Sequence, residues 1–462
     1  MIRVRVGCIL AAVVLLNGCT VHRPLPIEPA SVPLPPSYAE QEGVSRPAVV
    51  DEWWRSFDDP ELNGLVQEAF AANLEIDQAA ARLEQAASVL GVTRAGQWPT
   101  LNLRGESRRE TSPGFLGEDS GTSHRLSLAA GFELDLWRKL ASRAKAARLD
   151  LEASRENVRT IYLTLSAQIA DLYFLAIEQR AQLALADRNI AAYADTLERV
   201  ENRYREGVVP ALDVYQSRQN LAGARARRPE FSNRLAQTEH ALSVLLGRYP
   251  GRDPGGEIAD LPAAPEQFPA GIPSELLARR PDVKASFLRV KASDARIAAA
   301  IADRFPSLNL LGNYGHQSTA FSTGDIVGTF WNVALDLAQP VFDAGRRAAE
   351  VDRTRAVFRE NLAAYHQAVL TAFREVEDAL AANRSTEERI ARLEEREKAS
   401  RAALRLALDR YLQGLSDYLP VLTAQGLQFD AESQLLAARR QLIADRISLA
   451  RALGGEWMDE KI

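Results

Sequence analysis

The residues most able to carry out chemistry are scattered through this sequence of 462 residues. Its five histidines include no pair four positions apart and no cluster with cysteine, so no metal site is predicted. No serine lies within a Gly-x-Ser-x-Gly frame, and no glycine-rich phosphate loop follows a predicted strand. Adjacent carboxylates, such as Asp58-Asp59 and Glu394-Glu395, are typical of helix starts and solvated helix faces. The sequence therefore predicts no catalytic residue, metal ligand or cofactor, and it argues against an enzyme.

The N-terminus has the pattern of an export signal. Arg3 and Arg5 precede an apolar run at 6–16 that is too short to span a membrane as a helix. The run leads to a Leu-Asn-Gly-Cys sequence ending at Cys19, which resembles a bacterial lipobox. This resemblance implies that 1–18 is a cleaved signal peptide and that Cys19 is acylated. A plain secretory signal with an incidental cysteine is the alternative.

Cleavage at this point would leave a mature chain that begins with its lipidation site. Cys8 leaves with the signal, so Cys19 is the one remaining cysteine and cannot form an internal disulfide. Thr20, rather than an aspartate, follows it, which by the same resemblance favours transfer to the outer membrane. Residues 19–50 are rich in proline and are predicted to form a lipidated N-terminus and an extended tether.

The composition is that of a folded, helix-rich chain. Hydrophobic residues make up 46% and charged residues 25%, which is typical of a chain that forms a core. The formal net charge is −5 and no basic face is evident, which argues against nucleic acid as a partner.

The chain contains a duplication with a constant offset of 207 residues. The stretch Tyr204–Val214 (YREGVVPALDV) recurs as Tyr411–Val421 (YLQGLSDYLPV), and Trp98–Leu103 recurs as Phe305–Leu310. Anchors at one spacing predict two structural repeats. Each repeat is expected to run helix, β-hairpin, long helix, tip and return helix.

The predicted boundaries follow from this duplication. The first repeat covers 51–248 and the second covers 274–455, with a Pro/Gly-rich link at 249–273 and a C-terminal tail at 456–462. The predicted elements are helix 59–91, hairpin 99–137, long helix 138–206, return helix 211–246, helix 274–304, hairpin 306–343, long helix 346–413 and return helix 418–453.

The two hairpins alternate apolar and polar residues. In the segments Leu126–Leu136 and Trp331–Leu337, apolar side chains take every second position. Polar loops are predicted at Glu110–Ser123 and Ser318–Asp325. The pattern fits soluble β-hairpins, and it also fits the outward-apolar, inward-polar strands of a transmembrane barrel.

Four strands cannot close a barrel. An open edge in lipid would leave backbone groups unsatisfied at a cost of a few kcal/mol each. If the strands span a membrane, several copies of the chain must share one barrel. Eight strands from a dimer or twelve from a trimer both satisfy closure.

The two long helices have no glycine or proline between Arg138 and Glu206 or between Arg346 and Gln413. A helix of this length reaches about 100 Å, far beyond the usual globular helix, and indicates a coiled coil or a helical array. Abundant alanine permits close helix approach and favours a hollow tunnel with thin walls. A solid antiparallel bundle is the alternative.

Several motifs resemble the TolC-like outer-membrane factors, in particular their lipoprotein branch of NodT/OprM-type efflux channels. The resemblance covers essentially the whole mature chain. The motifs that carry it are WWRSFDDPELNGLV (Trp53–Val66), FELDLW (Phe132–Trp137), LLARRPDVKA (Leu276–Ala285), ARIAAAIADRFPSLNLLG (Ala295–Gly312), PVFDAGR (Pro340–Arg346) and the two Tyr-x-x-Gly tips.

The resemblance implies an α+β membrane protein that forms a homotrimer. Each chain would give four strands to a twelve-stranded outer-membrane barrel, which continues into a long α-helical tunnel through the periplasm. A small mixed equatorial domain, which would include the link 249–273, would surround the middle of the tunnel. The implied function is a passive duct that exports small solutes or drugs, with a periplasmic adaptor (membrane fusion) protein, an inner-membrane pump and outer-membrane lipid as partners. Two alternatives are a polypeptide duct of the type I secretion kind and a coiled-coil scaffold lipoprotein that is not a channel.

The resemblance also assigns roles at the tips, where the family closes its tunnel through Asp, Arg and Tyr contacts. Tyr204 and Tyr411 precede the tip glycines Gly207 and Gly414, and Leu412 resembles the apolar ring at the constriction. Ordinary helix capping or coil packing is the alternative for each tip residue.

The second tip departs from the family pattern. The position two after the tip glycine, often a gate aspartate, is Ser416, and Asp417 follows it. The first repeat keeps Asp213 where the second has Pro420. A ring of three aspartates near a threefold axis would favour cations. Either Asp417 or Asp213 could supply that ring.

Overall fold

The computed structural model describes residues 21–27, 35–40, 52–114, 117–251, 261–321 and 324–455. The predicted signal peptide 1–18, Cys19 and the tail 456–462 lie outside these residues. A 3₁₀ helix, Trp53–Phe57, comes first. The other elements are α1 Pro60–Ala72, α2 Leu74–Ala95, β1 Thr100–Gly114, β2 Gly117–Leu134, α3 Lys139–Arg205, α4 Ala211–Leu245, α5 Pro273–Arg279, α6 Pro281–Ala302, β3 Ser307–Phe321, β4 Gly324–Ala338, α7 Arg346–Leu412 and α8 Leu419–Leu453.

The duplication is visible element by element. The long helices α3 and α7 each contain 67 residues, and the return helices α4 and α8 each contain 35. The pairs α2 and α6, β1 and β3, and α3 and α7 each begin and end 207 positions apart. The same sequence pattern thus folds twice into the same local structure.

The prediction of a single first helix in each repeat was wrong. The helix predicted at 59–91 is divided at Asn73, and the one predicted at 274–304 is divided at Arg280. Both residues have extended backbone, with ψ of 125° and 119°. At Arg280 the cause is Pro281, which disfavours helical geometry in the residue before it. At Asn73 the side chain caps the next helix, since its Oδ1 accepts from the Glu75 amide at 2.8 Å.

The two breaks make equivalent long-range contacts. Nδ2 of Asn73 donates to the Leu245 carbonyl at 2.8 Å, and Nη1 of Arg280 donates to the Ala452 carbonyl at 3.2 Å. These acceptors lie at the ends of the return helices, where carbonyls lack helical partners. We call each contact, between the break and the end of the return helix of the same repeat, a helix clasp.

A glycine completes each helix clasp. Gly247 and Gly454 have φ of +68° and +72°. A Cβ atom at Gly247 would lie 2.4 Å from the Ala72 carbonyl oxygen, and one at Gly454 would lie 3.1 Å from the Arg279 carbonyl oxygen. Positive φ and close backbone approach both require glycine here.

The chain divides into two compact units. The strand unit contains 1–31, 81–155 and 285–367, and the helical unit contains 32–80, 156–284 and 368–462. In the strand unit, one antiparallel sheet has the order β1-β2-β3-β4. Strands β2 and β3 pair with each other, for example Leu128 with Tyr314, and so join the two repeats.

The loops predicted at Glu110–Ser123 and Ser318–Asp325 are also wrong in extent, because the strands continue through them. Glu110 pairs with Gly121, and Ala320 pairs with Asp325. The hairpins turn only after Gly114 and Phe321. Backbone hydrogen bonds hold the strands together here although apolar and polar residues no longer alternate. A prediction from side-chain polarity alone therefore ended the strands too early.

The sheet exposes large apolar side chains at alternate positions near the start of β1 and near the end of β4. Each of β1 and β4 has a neighbour on one side in the sheet. The exposed apolar side chains on these two strands include Leu101, Leu103, Trp331, Val333, Leu335 and Leu337. Such a surface is unusual for a soluble domain and indicates a hydrophobic environment.

The helical unit has an aromatic core at the start of the first repeat. Trp53 and Trp54 are buried, and the rings of Phe57 and Phe174 lie 4.7 Å apart. Asp59 caps α1, and its Oδ2 accepts a hydrogen bond of 2.8 Å from the buried Tyr173 hydroxyl. Among the described helices, α3 alone contains a stretch long and apolar enough to cross a membrane, and most of that stretch is buried in the fold.

Candidate functional site

The two tips, which connect α3 to α4 and α7 to α8, share one backbone geometry. In the first, the Gly207 amide donates to the Tyr204 carbonyl at 2.9 Å and the Val208 amide donates to the Arg203 carbonyl at 2.9 Å. The equivalent bonds in the second tip, from Gly414 and Leu415, are 3.0 and 2.9 Å long. Gly207 and Gly414 both have φ of +75°. Each long helix therefore ends in a Schellman motif, and the tip glycines supply its left-handed residue.

Side chains from both tips form one small core within the helical unit. Its buried members are Val200, Val214, Tyr411, Tyr418 and Val421. The rings of Tyr411 and Tyr418 lie 5.4 Å apart. The tip of the first repeat is thereby packed against the tip of the second.

A polar contact lies within this core. The Tyr411 hydroxyl donates to Oδ2 of Asp213 at 3.2 Å. Asp213 is the third residue of α4, where the helix dipole favours a negative charge. We call this pair, together with Arg203, the tip lock.

Burial raises the pKa values of both partners in the hydrogen bond, Asp213 and Tyr411. Desolvation raises the pKa of Asp213 above its ordinary 3.8, and the Asp417 charge adds to the rise, while the Tyr411 hydrogen bond and Arg203 oppose it. Burial and the neighbouring Asp213 raise the pKa of Tyr411, so its hydroxyl keeps the proton that it donates.

Arg203 is the third member of the tip lock and was not predicted from the sequence. Its guanidinium lies 5.0 Å from the centre of the Tyr411 ring, and its Nη1 donates to the Leu412 carbonyl at 2.6 Å. The repeat contained a signal for it, because an Arg-Tyr pair precedes both tip glycines. This arginine links α3 to the end of α7 through both a cation–π contact and a hydrogen bond.

The two tyrosines of the repeat differ in environment. Tyr411 is 3% exposed, whereas Tyr204 is 48% exposed. The position equivalent to Asp213 is Pro420, which offers no acceptor side chain. The duplicated sequence therefore produces one tip lock in the described part of the chain instead of two.

The remaining predicted residues lie at the surface of the second tip. Leu412, Gly414 and Asp417 are exposed. Ser416 is half-buried, and its Oγ has no hydrogen-bond partner among the described residues. The two candidate aspartates thus differ in exposure, since Asp213 is buried in the tip lock and Asp417 faces solvent. Cys19 lies outside the described residues.

Four large apolar side chains project from the tips in equivalent pairs. Val208 and Leu415 are 58% and 63% exposed, and Leu212 and Leu419 are 62% and 60% exposed. We call these four residues the tip surface. Exposed apolar side chains grouped at one end of a helical unit are typical of a protein contact site.

The described residues contain no group of three or more His, Cys, Asp or Glu side chains that could hold a metal ion. The chemistry available at the tips is hydrogen bonding, charge and apolar contact.

Comparison with known proteins gives the family. The model of the outer membrane efflux protein family matches residues 65–248 and 272–455, that is, both repeats. The chain therefore belongs to the outer membrane efflux protein family. This confirms the predicted resemblance and the predicted location in the outer membrane.

Two curated relatives from Pseudomonas putida illustrate the likeness. The toluene efflux pump outer membrane protein TtgF is 30% identical, over 97% of this chain and 96% of its own length. The pyoverdine export outer membrane protein OpmQ is 29% identical, over 97% of each chain.

Two solved structures have the same fold. The outer-membrane channel OprN superposes with a TM-score of 0.87 at 27% identity, over 95% of this chain and 100% of the other. The open state of the Neisseria gonorrhoeae MtrE outer membrane channel gives 0.82 at 27% identity, over 95% and 99%. The predicted fold class and the predicted function, an outer-membrane efflux channel, are confirmed. The family is one of efflux channels and not of enzymes.

Proposed function

We propose that three copies of the chain assemble into one passive duct. The observation that supports this is the sheet, whose outer strands β1 and β4 each have one neighbour and expose apolar side chains. Unsatisfied strand edges in lipid are too costly to persist, so the edges of one copy pair with those of the next. Three copies give the twelve-stranded barrel that the family resemblance implies.

The N-terminus anchors this assembly to the inner leaflet of the outer membrane through acylated Cys19. The support is the Leu-Asn-Gly-Cys sequence that ends there. One diacylglyceryl group and one acyl chain on each of three copies would hold the N-termini at the membrane surface.

The tip lock keeps the duct closed at rest. It joins helices of both repeats through the Tyr411–Asp213 hydrogen bond and the Arg203 contacts. Opening requires these helices to separate, which exposes Asp213 to water. Leu412 forms the apolar constriction, and Asp417, which is exposed, supplies the ring of charge that selects cations.

The tip surface binds a periplasmic adaptor protein, which connects the duct to an inner-membrane pump. Burying four exposed apolar side chains per copy, twelve in a trimer, would stabilise such a complex substantially. The tip surface lies next to the tip lock, so an adaptor that binds there can open the lock.

The cargo consists of small solutes chosen by the pump. TtgF and OpmQ are named for toluene and for pyoverdine, yet they share nearly the same identity with this chain, 30% and 29%. Overall similarity therefore does not select between such cargoes. A scaffold lipoprotein would need no membrane strands, and no feature of the described residues favours polypeptide export.

Planar-bilayer recording tests the duct directly. Purified mature protein should give stepwise conductance with small, mostly closed currents at rest. Chemical cross-linking of the same sample should give a trimer. A lipid-anchored trimer that passes no current, even after Tyr411→Phe, would exclude the duct.

A further inference from the structure

A cleft of 280 Å³ lies in the strand unit where the chain passes from β2 into α3. Its walls come from the N-terminal segment, the start of α3 and helix α6. The lining residues that matter here are His22, Trp137, Arg138, Lys145 and Asp294. We call it the junction cleft.

One wall is held by a partly buried contact between distant parts of the chain. His22 Nε2 lies 2.8 Å from Asp294 Oδ1, and the Leu25 amide donates to the same oxygen at 3.1 Å. This fixes residues 22–25 against α6. Both contacts use the Oδ1 atom of Asp294, a residue that lines the junction cleft.

Two cations of the junction cleft remain without such a partner. Arg138 and Lys145 are exposed, and neither forms an ion pair within the part of the chain that the structure describes. Their neighbours differ, since Lys139 Nζ lies 2.5 Å from Glu133 and Arg143 lies 4.0 Å from Asp303. Two cations against the single carboxylate of Asp294 give the junction cleft an excess of positive charge.

Comparison of the two repeats shows that the fold does not need these cations. Arg138 has φ of +59°, and its equivalent in the second repeat is Gly345, with φ of +83°. A side chain in this conformation costs roughly 1–2 kcal/mol that glycine avoids. The equivalent of Lys145 is Asp352, of opposite charge. The first repeat thus keeps a strained arginine and a lysine, whereas the second repeat enters its long helix without either.

The junction cleft lies close to the membrane. Arg138 is four residues beyond Leu134, the end of β2, and so within about 14 Å of the strand. The Trp137 ring stacks on Phe305 at 5.0 Å and its Nε1 donates to the Pro306 carbonyl at 2.7 Å. Tryptophan with an apolar ring and a bonded N–H is favoured at membrane interfaces. His22, moreover, is three residues from Cys19, or at most about 11 Å.

We propose that the junction cleft binds the phosphate of an anionic phospholipid in the inner leaflet of the outer membrane. Arg138 and Lys145 contact the phosphate oxygens, and Trp137 packs beside the glycerol. The volume of 280 Å³ admits a headgroup and leaves the acyl chains outside. Among these arguments, the one from Cys19 alone depends on the proposed lipid anchor.

Native mass spectrometry of the full-length protein, titrated with phosphatidylglycerol in detergent, tests this site. The variant Arg138→Gly removes the cation and relieves the backbone strain, so lost binding cannot be assigned to misfolding. We expect about fivefold weaker binding for Arg138→Gly or for Lys145→Gln, and about 25-fold for both together. Lys398→Gln, at an exposed lysine of α7 in the helical unit, is the matched control and should bind like the wild type.

Two further measurements distinguish a phospholipid from free phosphate and from the lipid anchor. Unchanged phosphatidylglycerol affinity in the double variant would overturn the proposal. Equal binding of inorganic phosphate, lost in the same variants, would also overturn it in favour of a free-phosphate site. Cys19→Ser should keep the phosphatidylglycerol site, so a failure of the proposed anchor or of conductance is distinguishable from a failure of this inference.

Discussion

Tyr411 and Asp213 come from different repeats of the chain, and a hydrogen bond of 3.2 Å joins them inside the core shared by the two tips. The first repeat supplies the acceptor and the second supplies the donor. The first repeat has a tyrosine of its own, but Tyr204 is exposed, and in the second repeat Pro420 takes the place of the aspartate. Breaking this bond is the smallest change that should loosen the tips.

Tyr411→Phe removes the hydroxyl and keeps the packed ring. Hydrogen bonds to charged groups contribute about 1.5–3 kcal/mol. The loss of each tip lock should therefore shift the equilibrium between closed and open states by roughly tenfold or more toward the open state. Single-channel recording should show a higher open probability or larger conductance. Tyr204→Phe is the matched control at the exposed tyrosine and should behave like the wild type. Equal effects of the two variants would contradict the proposed tip lock.

Acid should favour the closed tips through Asp213. The pKa of this carboxyl is raised above 3.8 when it is buried, and it returns toward 3.8 when opening exposes it to water. The closed state therefore holds the proton more tightly, and its stability rises as the pH falls through the raised pKa toward 3.8. Open probability should fall on acidification in wild-type recordings. Asp213→Asn should remove that pH dependence, and an unchanged profile would exclude Asp213 as its source.

The tip glycines should respond differently from a glycine inside a helix. Gly207→Ala or Gly414→Ala places a Cβ at φ of +75° and should destabilise the tip by about 1–2 kcal/mol. Gly223→Ala, in the interior of α4 with open space around it, should stabilise the helix by about 0.5–1 kcal/mol. Hydrogen exchange of the amides around each substituted glycine measures the corresponding effect. Slower exchange in Gly207→Ala would be inconsistent with the left-handed conformation.

The tip surface should be needed for adaptor binding and not for conduction. Leu415→Asp replaces an exposed leucine by a charge that resists burial, so affinity for an adaptor should fall at least tenfold, about the effect of one lost leucine contact. Surface plasmon resonance with the immobilised adaptor gives the affinity, and bilayer recording gives the conductance. Tyr249→Asp, at a side chain that is 93% exposed outside the tips, should leave both unchanged. Normal adaptor affinity in Leu415→Asp would place the contact elsewhere.

Neighbouring positions of β4 should differ in their tolerance of charge. Leu335 belongs to the exposed apolar set, and Ala334 belongs to the opposite face of the strand. Arginine at a lipid-facing site costs about 2–4 kcal/mol near the bilayer midplane, whereas a lumen-facing site tolerates it. Leu335→Arg should reduce the yield of membrane-inserted trimer, and Ala334→Arg should insert and lower cation selectivity. Equal insertion of both variants would indicate that the strand does not face lipid.

Much of the fold follows from the sequence because the duplication and the periodicity act over long segments. The long helices lack Gly and Pro over almost 70 residues, and the equivalent Tyr-x-x-Gly sequences mark where they end. Local rules are sufficient at the tips, since a left-handed glycine with the same hydrogen bonds recurs at Gly207 and Gly414.

Other features depend on contacts that no local pattern contains. The break at Asn73 has no proline to mark it and is stabilised by a carbonyl 172 residues away. The polar ends of the hairpins are strands because of their pairing and not because of their side chains. At the tips, the sequence aligns Tyr204 with Tyr411, but only the packed structure decides which of them meets Asp213 and where Arg203 lies.

The helix clasps imply an order of assembly. Each clasp closes within its own repeat, through Asn73 and Leu245 in the first and Arg280 and Ala452 in the second. A chain that crosses the inner membrane N-terminus first can therefore finish the first clasp before the second repeat emerges. Strand β2 must wait for β3 of the later half, and β1 and β4 must wait for other copies. The helices can mature in a single newly exported chain, whereas the membrane pore is the last part to form.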